Sequence, residues 1–137
     1  MKKMNRWIPF LIMTIALTAC GDREQHAEHK EKKEVSTEML EVQLHGPDTL
    51  VKSETGHFEA VVIQGDEKVE DAEEVEFEIW LEGAKETSIN LEAENEGNGV
   101  YSVKHSFEQE GEYIVQSHVT ARDMHTMPTK KVIVSNE

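Results

Sequence analysis

Residues 73–81 read Glu-Glu-Val-Glu-Phe-Glu-Ile-Trp-Leu, and this alternation constrains the fold more than any other stretch of the chain. In an extended segment successive side chains point to opposite faces. Val75, Phe77, Ile79 and Leu81 then share one face, and Glu74, Glu76 and Glu78 the other. A helix would scatter both sets around its circumference. The segment therefore reads as a strand with one face in a core and one in water.

The same period recurs along the chain. Met39–His45 places Leu40, Val42 and Leu44 together. Gly56–Gln64 is a second apolar run, with Phe58, Ala60, Val61, Val62 and Ile63. Glu86–Glu94 aligns Ile89, Leu91 and Ala93, and Gly99–Phe107 aligns Tyr101, Val103 and Phe107. With Gly111–Ala121 and Thr129–Val134 the count reaches seven. Turn residues separate the runs: Gly46-Pro47-Asp48, Gly65-Asp66, Glu82-Gly83, Asn95–Gly99 and Glu110-Gly111. No stretch carries a helical stripe. Short strands at this spacing predict an all-β, immunoglobulin-like antiparallel β-sandwich of about seven strands. Gly111-Glu112-Tyr113 adds a specific expectation. A tyrosine opening this strand predicts a tyrosine corner, with the ring turned inward and the hydroxyl bonded to backbone.

The first 20 residues have a different character. Lys2, Lys3 and Arg6 precede an apolar stretch from Trp7 to Ala19, and Leu17-Thr18-Ala19-Cys20 closes it with the only cysteine of the chain. Basic residues, an apolar core, small residues and then cysteine form the pattern of a bacterial lipoprotein signal. The apolar stretch is shorter than the roughly 20 residues a membrane span needs. Three segments are expected: a signal peptide at 1–19, a lipidated Cys20 with a charged flexible tether at 20–38, and a sandwich domain at 39–137. The tether sequence, Gly21 to Thr37, has one valine and no aromatic. It buries too little apolar surface to offset the entropy of ordering. The expected location is the extracytoplasmic face of the cell membrane, held there by acyl chains.

Charge narrows the partners. Residues 1–19 carry three of the fourteen bases and none of the twenty-eight acids, so the remainder stands at −17. A domain this acidic repels phosphate backbones, which argues against nucleic acid. With Cys20 lipidated, no intrachain disulfide forms, and a monomer standing on its own core is expected.

One cluster offers chemistry. From His118 to Met127 the chain carries two histidines and two methionines. Imidazole with thioether suits a soft or borderline ion, above all Cu(I). His118, Met124, His125 and Met127 are the candidate ligands. His118 is expected on the outer face with Gln116 and Thr120. Met124 or Met127 could instead cap the open end of the sandwich, and His125 could bond loop backbone. Trp80 falls on the face of Glu76 and Glu78. It is either an exposed anchor for a docking partner, since interface hot spots favour Trp, or covered by a neighbouring loop. Neither a nucleophile elbow, nor a zinc-protease helix motif, nor a phosphate-binding glycine loop occurs. Ser117 beside His118 points to the opposite face. A non-enzymatic binding domain is expected.

Gly99-Val100-Tyr101, Phe107, Gly111-Glu112-Tyr113 and His118-Val119-Thr120, with Met124-His125 and Pro128, resemble the YtkA-like domain of lipoproteins from Gram-positive bacilli. The likeness spans roughly residues 40–135. That domain is in turn similar to the periplasmic part of FixH-type proteins, which are associated with copper supply to terminal oxidases. The resemblance implies an immunoglobulin-like sandwich, copper handling and an envelope or oxidase-assembly partner. An adaptor that docks on a membrane or envelope complex is the alternative.

Overall fold

The computed structural model describes residues 37–137. The signal peptide, Cys20 and all of the tether except Thr37 and Glu38 lie outside the described residues. Among the described residues no helix is long and apolar enough to cross a membrane.

Eleven strands form two sheets. They are β1 (Leu40–His45), β2 (Thr49–Val51), β3 (Thr55–Gln64), β4 (Glu67–Lys68), β5 (Glu74–Leu81), β6 (Ile89–Glu92), β7 (Glu94–Gly97), β8 (Val100–Ser106), β9 (Gly111–Ala121), β10 (Met124–Thr126) and β11 (Thr129–Ser135). One sheet has the order β1-β3-β8-β7, with β4 on the end of β3. The other runs β2-β11-β9-β5-β6, with β10 on β9. The fold is the expected all-β sandwich, and each of the seven anticipated runs contributes a strand.

The count rises from seven to eleven for identifiable reasons. β10 and β11 both pair along β9 and are divided at Met127-Pro128, where proline has no N–H for the ladder. The Glu86–Glu94 run divides as well. A 3-10 turn takes Lys85–Thr87, β6 pairs with β5, and past Ala93 the chain crosses to the other sheet as β7. At this edge Ile89 is 41% exposed and does not join the core as expected. One pair departs from the antiparallel expectation: short β2 runs parallel to β11.

The core lies between the sheets. Phe58, Val62, Phe77, Phe107, Val115, Val119 and Val132 are fully buried. On β5 and β9 the burial alternates as the sequence demands, with Val75, Phe77, Ile79 and then Val115, Ser117, Val119, Ala121 inward. Tyr113 forms the anticipated corner. Its Oη donates to the Gln109 carbonyl at 2.9 Å, its ring lies 4.7 Å from that of Phe107, and burial raises its pKa. Gly99 takes φ +74°, and a Cβ there would sit 2.8 Å from the Val62 carbonyl, so only glycine fits where the chain passes β3.

Candidate metal centre

The outer face of the larger sheet is built from β5, β9 and β10. Because Val115, Ser117 and Val119 point inward, Gln116, His118 and Thr120 point outward. Across β9, His118 stands opposite Glu76 and Gln116 opposite Glu78. On the other side, His125 of β10 stands opposite Thr120. The turn that produces this register is a two-residue connection, Arg122-Asp123, with φ of 52° and 63°. Positive φ at both central positions gives the twist that a hairpin needs.

The two imidazoles are brought together. Their ring centres lie 6.1 Å apart with planes inclined by 40°. Each ring is held at one nitrogen. His118 Nε2 donates to the Glu78 carboxylate at 2.9 Å, and His125 Nδ1 pairs with the Thr120 hydroxyl at 2.8 Å. An ionised carboxylate only accepts, so Nε2 of His118 carries a proton, and in the neutral ring Nδ1 is then the nitrogen with the lone pair. When His125 Nδ1 donates to Thr120, its Nε2 is likewise left open.

Glu78 is itself anchored. Ser88 Oγ donates to it at 2.7 Å, and Lys85 Nζ lies 3.7 Å away. The hydrogen bonds from Ser88 and His118, assisted by the Lys85 charge, hold its pKa below the ordinary 4.5. A depressed folded pKa means that stability contributed by Glu78 is present above pH 4.5 and is lost as pH falls through the lowered folded value. Glu78→Gln is therefore expected to lower the melting temperature at pH 7 and to converge with wild type as the pH falls through the lowered value. Parallel melting curves across that range would contradict the assignment.

The methionines divide. Met124 packs against the core, capping the sandwich between the sheets. It is opposite Ala121, an inward position, so it faces away from His125. Met127 is 48% exposed, and its carbonyl accepts a 3.4 Å hydrogen bond from Gln116 Nε2. The four candidate residues thus do not form one set: His118 and His125 meet, Met127 is open to solvent, and Met124 is turned inward. Among the described residues no three His, Cys, Asp or Glu side chains make a metal-holding group. Trp80 is half-buried on the outer face, with Lys85 Nζ 4.5 Å above its ring. Two clefts lie at the β6–β7 corner. One of about 290 Å³ is bordered by Leu91, Glu94 and Lys104, and one of about 370 Å³ by Glu74, Glu92 and Tyr101.

Sequence reading did not find Glu78 or Thr120 as partners of the histidines. Their roles depend on register across β5–β9–β10. The register of β10 follows from a tight turn that lacks the glycine by which such turns are recognised.

The described residues thus form a β-sandwich domain with a supported imidazole pair on one open sheet face. The chain belongs to the YtkA-like family, whose model matches residues 25–118. The match begins earlier than the anticipated 40–135 and ends at His118, so β10 with His125 lies beyond it. No curated protein is significantly similar to the chain. Among solved structures, an engineered protein is similar over 69% of this chain, with 16% identity and a TM-score of 0.54. This chain spans only 20% of that protein. A superoxide reductase (neelaredoxin) from Ignicoccus hospitalis is similar over 72% of this chain and 83% of its own, with 10% identity and a TM-score of 0.52. A CARDB domain from Pyrococcus furiosus is similar over 74% and 97%, with 18% identity and a TM-score of 0.48. At these identities the likeness to the engineered protein and to the superoxide reductase is one of fold.

Proposed function

We propose that this protein is an extracytoplasmic binding domain, anchored to the cell membrane by a lipid on Cys20, that takes up Cu(I) between His118 and His125. The observation that carries the reading is the imidazole pair, each ring fixed through one nitrogen. Metal-binding histidines are oriented in this way, by a hydrogen bond from the nitrogen that does not bind. The separation fits as well. With metal–nitrogen bonds near 2 Å, each ring centre lies about 3 Å from the ion, so two such rings stand at most about 6 Å apart. In this reading the two open nitrogens turn toward each other across the ion, with the ring centres 6.1 Å apart, at that limit. Two-coordinate, near-linear geometry suits Cu(I). The solvent-exposed thioether of Met127, two residues beyond His125 in the chain, suits the same soft ion.

The ion is cargo in this reading, passed by ligand exchange to an envelope or oxidase-assembly partner. An open sheet face, unlike an enclosed cleft, leaves the ion accessible to a partner's ligands. The role is binding, not catalysis. The docking alternative is served less well by Trp80, because Lys85 already covers its ring.

Competition with a Cu(I) chelator under reducing conditions tests the proposal on residues 21–137. Wild type is expected to bind one ion per chain, and His118→Ala/His125→Ala to bind at least a hundredfold more weakly. Equal affinity of the two proteins would end the copper reading.

A further inference from the structure

Three methionines occur among the described residues, and the fold treats them differently. Met124 packs against the core. Met39 and Met127 are 80% and 48% exposed, the two highest values among the large apolar residues. They are far apart in sequence, yet one contact brings their neighbours together: Thr126 Oγ1 donates to the Leu40 carbonyl at 3.5 Å. Leu40 is buried, and the residue before it, Met39, is turned to solvent.

Direction matters here. Leu40 opens β1 opposite Gln64, and Gln64 accepts a 2.9 Å hydrogen bond from Arg122 at the tip of the β9–β10 hairpin. β1 and β10 therefore both start at this end of the sandwich and run away from it together. Stepping back one residue from the Leu40–Thr126 contact leads from Leu40 to Met39 and from Thr126 to His125. Consecutive Cα atoms are about 3.8 Å apart, less than the reach of a methionine side chain. Met39, the residue before β1, thus lies close to the level of His125, across the edge where β1 of one sheet approaches β10 of the other.

We infer that Met39 supplies a thioether to the ion held by His118 and His125. The inference rests on the proposed copper site and deepens it. A near-linear imidazole pair leaves the waist of the ion open. Among the described residues no third His, Cys, Asp or Glu converges on such a pair. A thioether is the donor that Cu(I) accepts there. Because Met39 joins the tether to β1, ion binding would tie the tether's exit to the hairpin.

The test compares wild type, Met39→Leu, Met124→Leu and His118→Ala/His125→Ala in the full-length chain purified in detergent, with Cu(I) as the probe. Leucine conserves volume and removes the sulfur, and at a position this exposed it leaves the fold unperturbed. Affinity is read by chelator competition, and sulfur ligation by X-ray absorption at the copper edge. Met39→Leu is expected to weaken binding at least tenfold and to remove a sulfur scatterer, while Met124→Leu changes neither. If Met39→Leu binds as wild type with an unchanged sulfur signal, and the double histidine variant still loses the ion, the role of Met39 is refuted and the imidazole site stands. If the double histidine variant binds as wild type, the site itself is refuted and Met39 with it.

Discussion

Replacing Phe58 with alanine is expected to destabilise the domain by about 3–5 kcal/mol, the range for truncating a buried phenylalanine. Phe58 has no exposed surface, and its ring meets that of Phe107 edge-on at 6.2 Å. What makes the site unforgiving is its walls. A Cβ on Gly46 would lie 2.4 Å from the Phe58 ring and one on Gly56 2.9 Å from it, so the ring rests directly on two stretches of backbone. Backbone at Gly56, held in the β3 ladder, cannot collapse into the space that a lost ring leaves, which places the cost toward the upper end. Domains of this size have about 5–15 kcal/mol in total, so the variant should be partly unfolded in modest urea. Urea titration measures it. A loss below about 1 kcal/mol would mean that the core closes around the cavity, contrary to the packing described.

The second large effect is expected at Arg122. Its guanidinium bridges the two sheets at the hairpin tip. Nη1 donates to Gln64 Oε1 at 2.9 Å and to Glu67 Oε2 at 3.2 Å, and Nη2 donates to Glu67 Oε1 at 2.7 Å and to Asp71 Oδ1 at 3.3 Å. The hydrogen bonds to Glu67 and the two acidic charges raise the Arg122 pKa. The carboxylates are more than half exposed, at 66% and 52%, so water screens the ion pairs, and these contribute little. The larger cost comes from Gln64, which is 3% exposed and would lose the donor to its Oε1. Together these give about 2–3 kcal/mol for Arg122→Ala, or roughly 8–20 °C in melting temperature. Lysine should rescue little of this, because one ammonium cannot reproduce the fork. Hydrogen exchange of residues 119–126 should accelerate more than that of β5 and β6. Uniform acceleration across the domain would contradict a clamp local to the hairpin.

How much of this was legible in the sequence depends on the range of the interactions. β5 and β9 could be read residue by residue, since a period of two is a local property and each buries one face. The tyrosine corner followed from Tyr113 and Gly111, two residues before it. The outward position of His118 followed from parity along β9. What the sequence did not disclose is relational. Ala93 interrupts one apparent strand because the chain changes sheets there, and nothing in Leu91-Glu92-Ala93-Glu94 announces it. The Arg122-Asp123 turn has the backbone of a glycine turn without the glycine. The pairing of Thr120 with His125, and the turning of Met124 to the core, depend on that turn. The Glu78–His118 pair and the approach of Leu40 to Thr126 join residues distant in sequence, and only the assembled sheets reveal them.

The most direct measurement is long-range ¹H–¹⁵N spectroscopy of the imidazole rings during addition of Cu(I) under reducing conditions. Five histidines lie among the described residues: His45, His57, His105, His118 and His125. The account predicts that the ring nitrogens of His118 and His125 shift together and saturate at one ion per chain, while those of His45, His57 and His105 stay in place. If His118 and His125 do not move, or move no more than the other three, the imidazole pair is not a copper site.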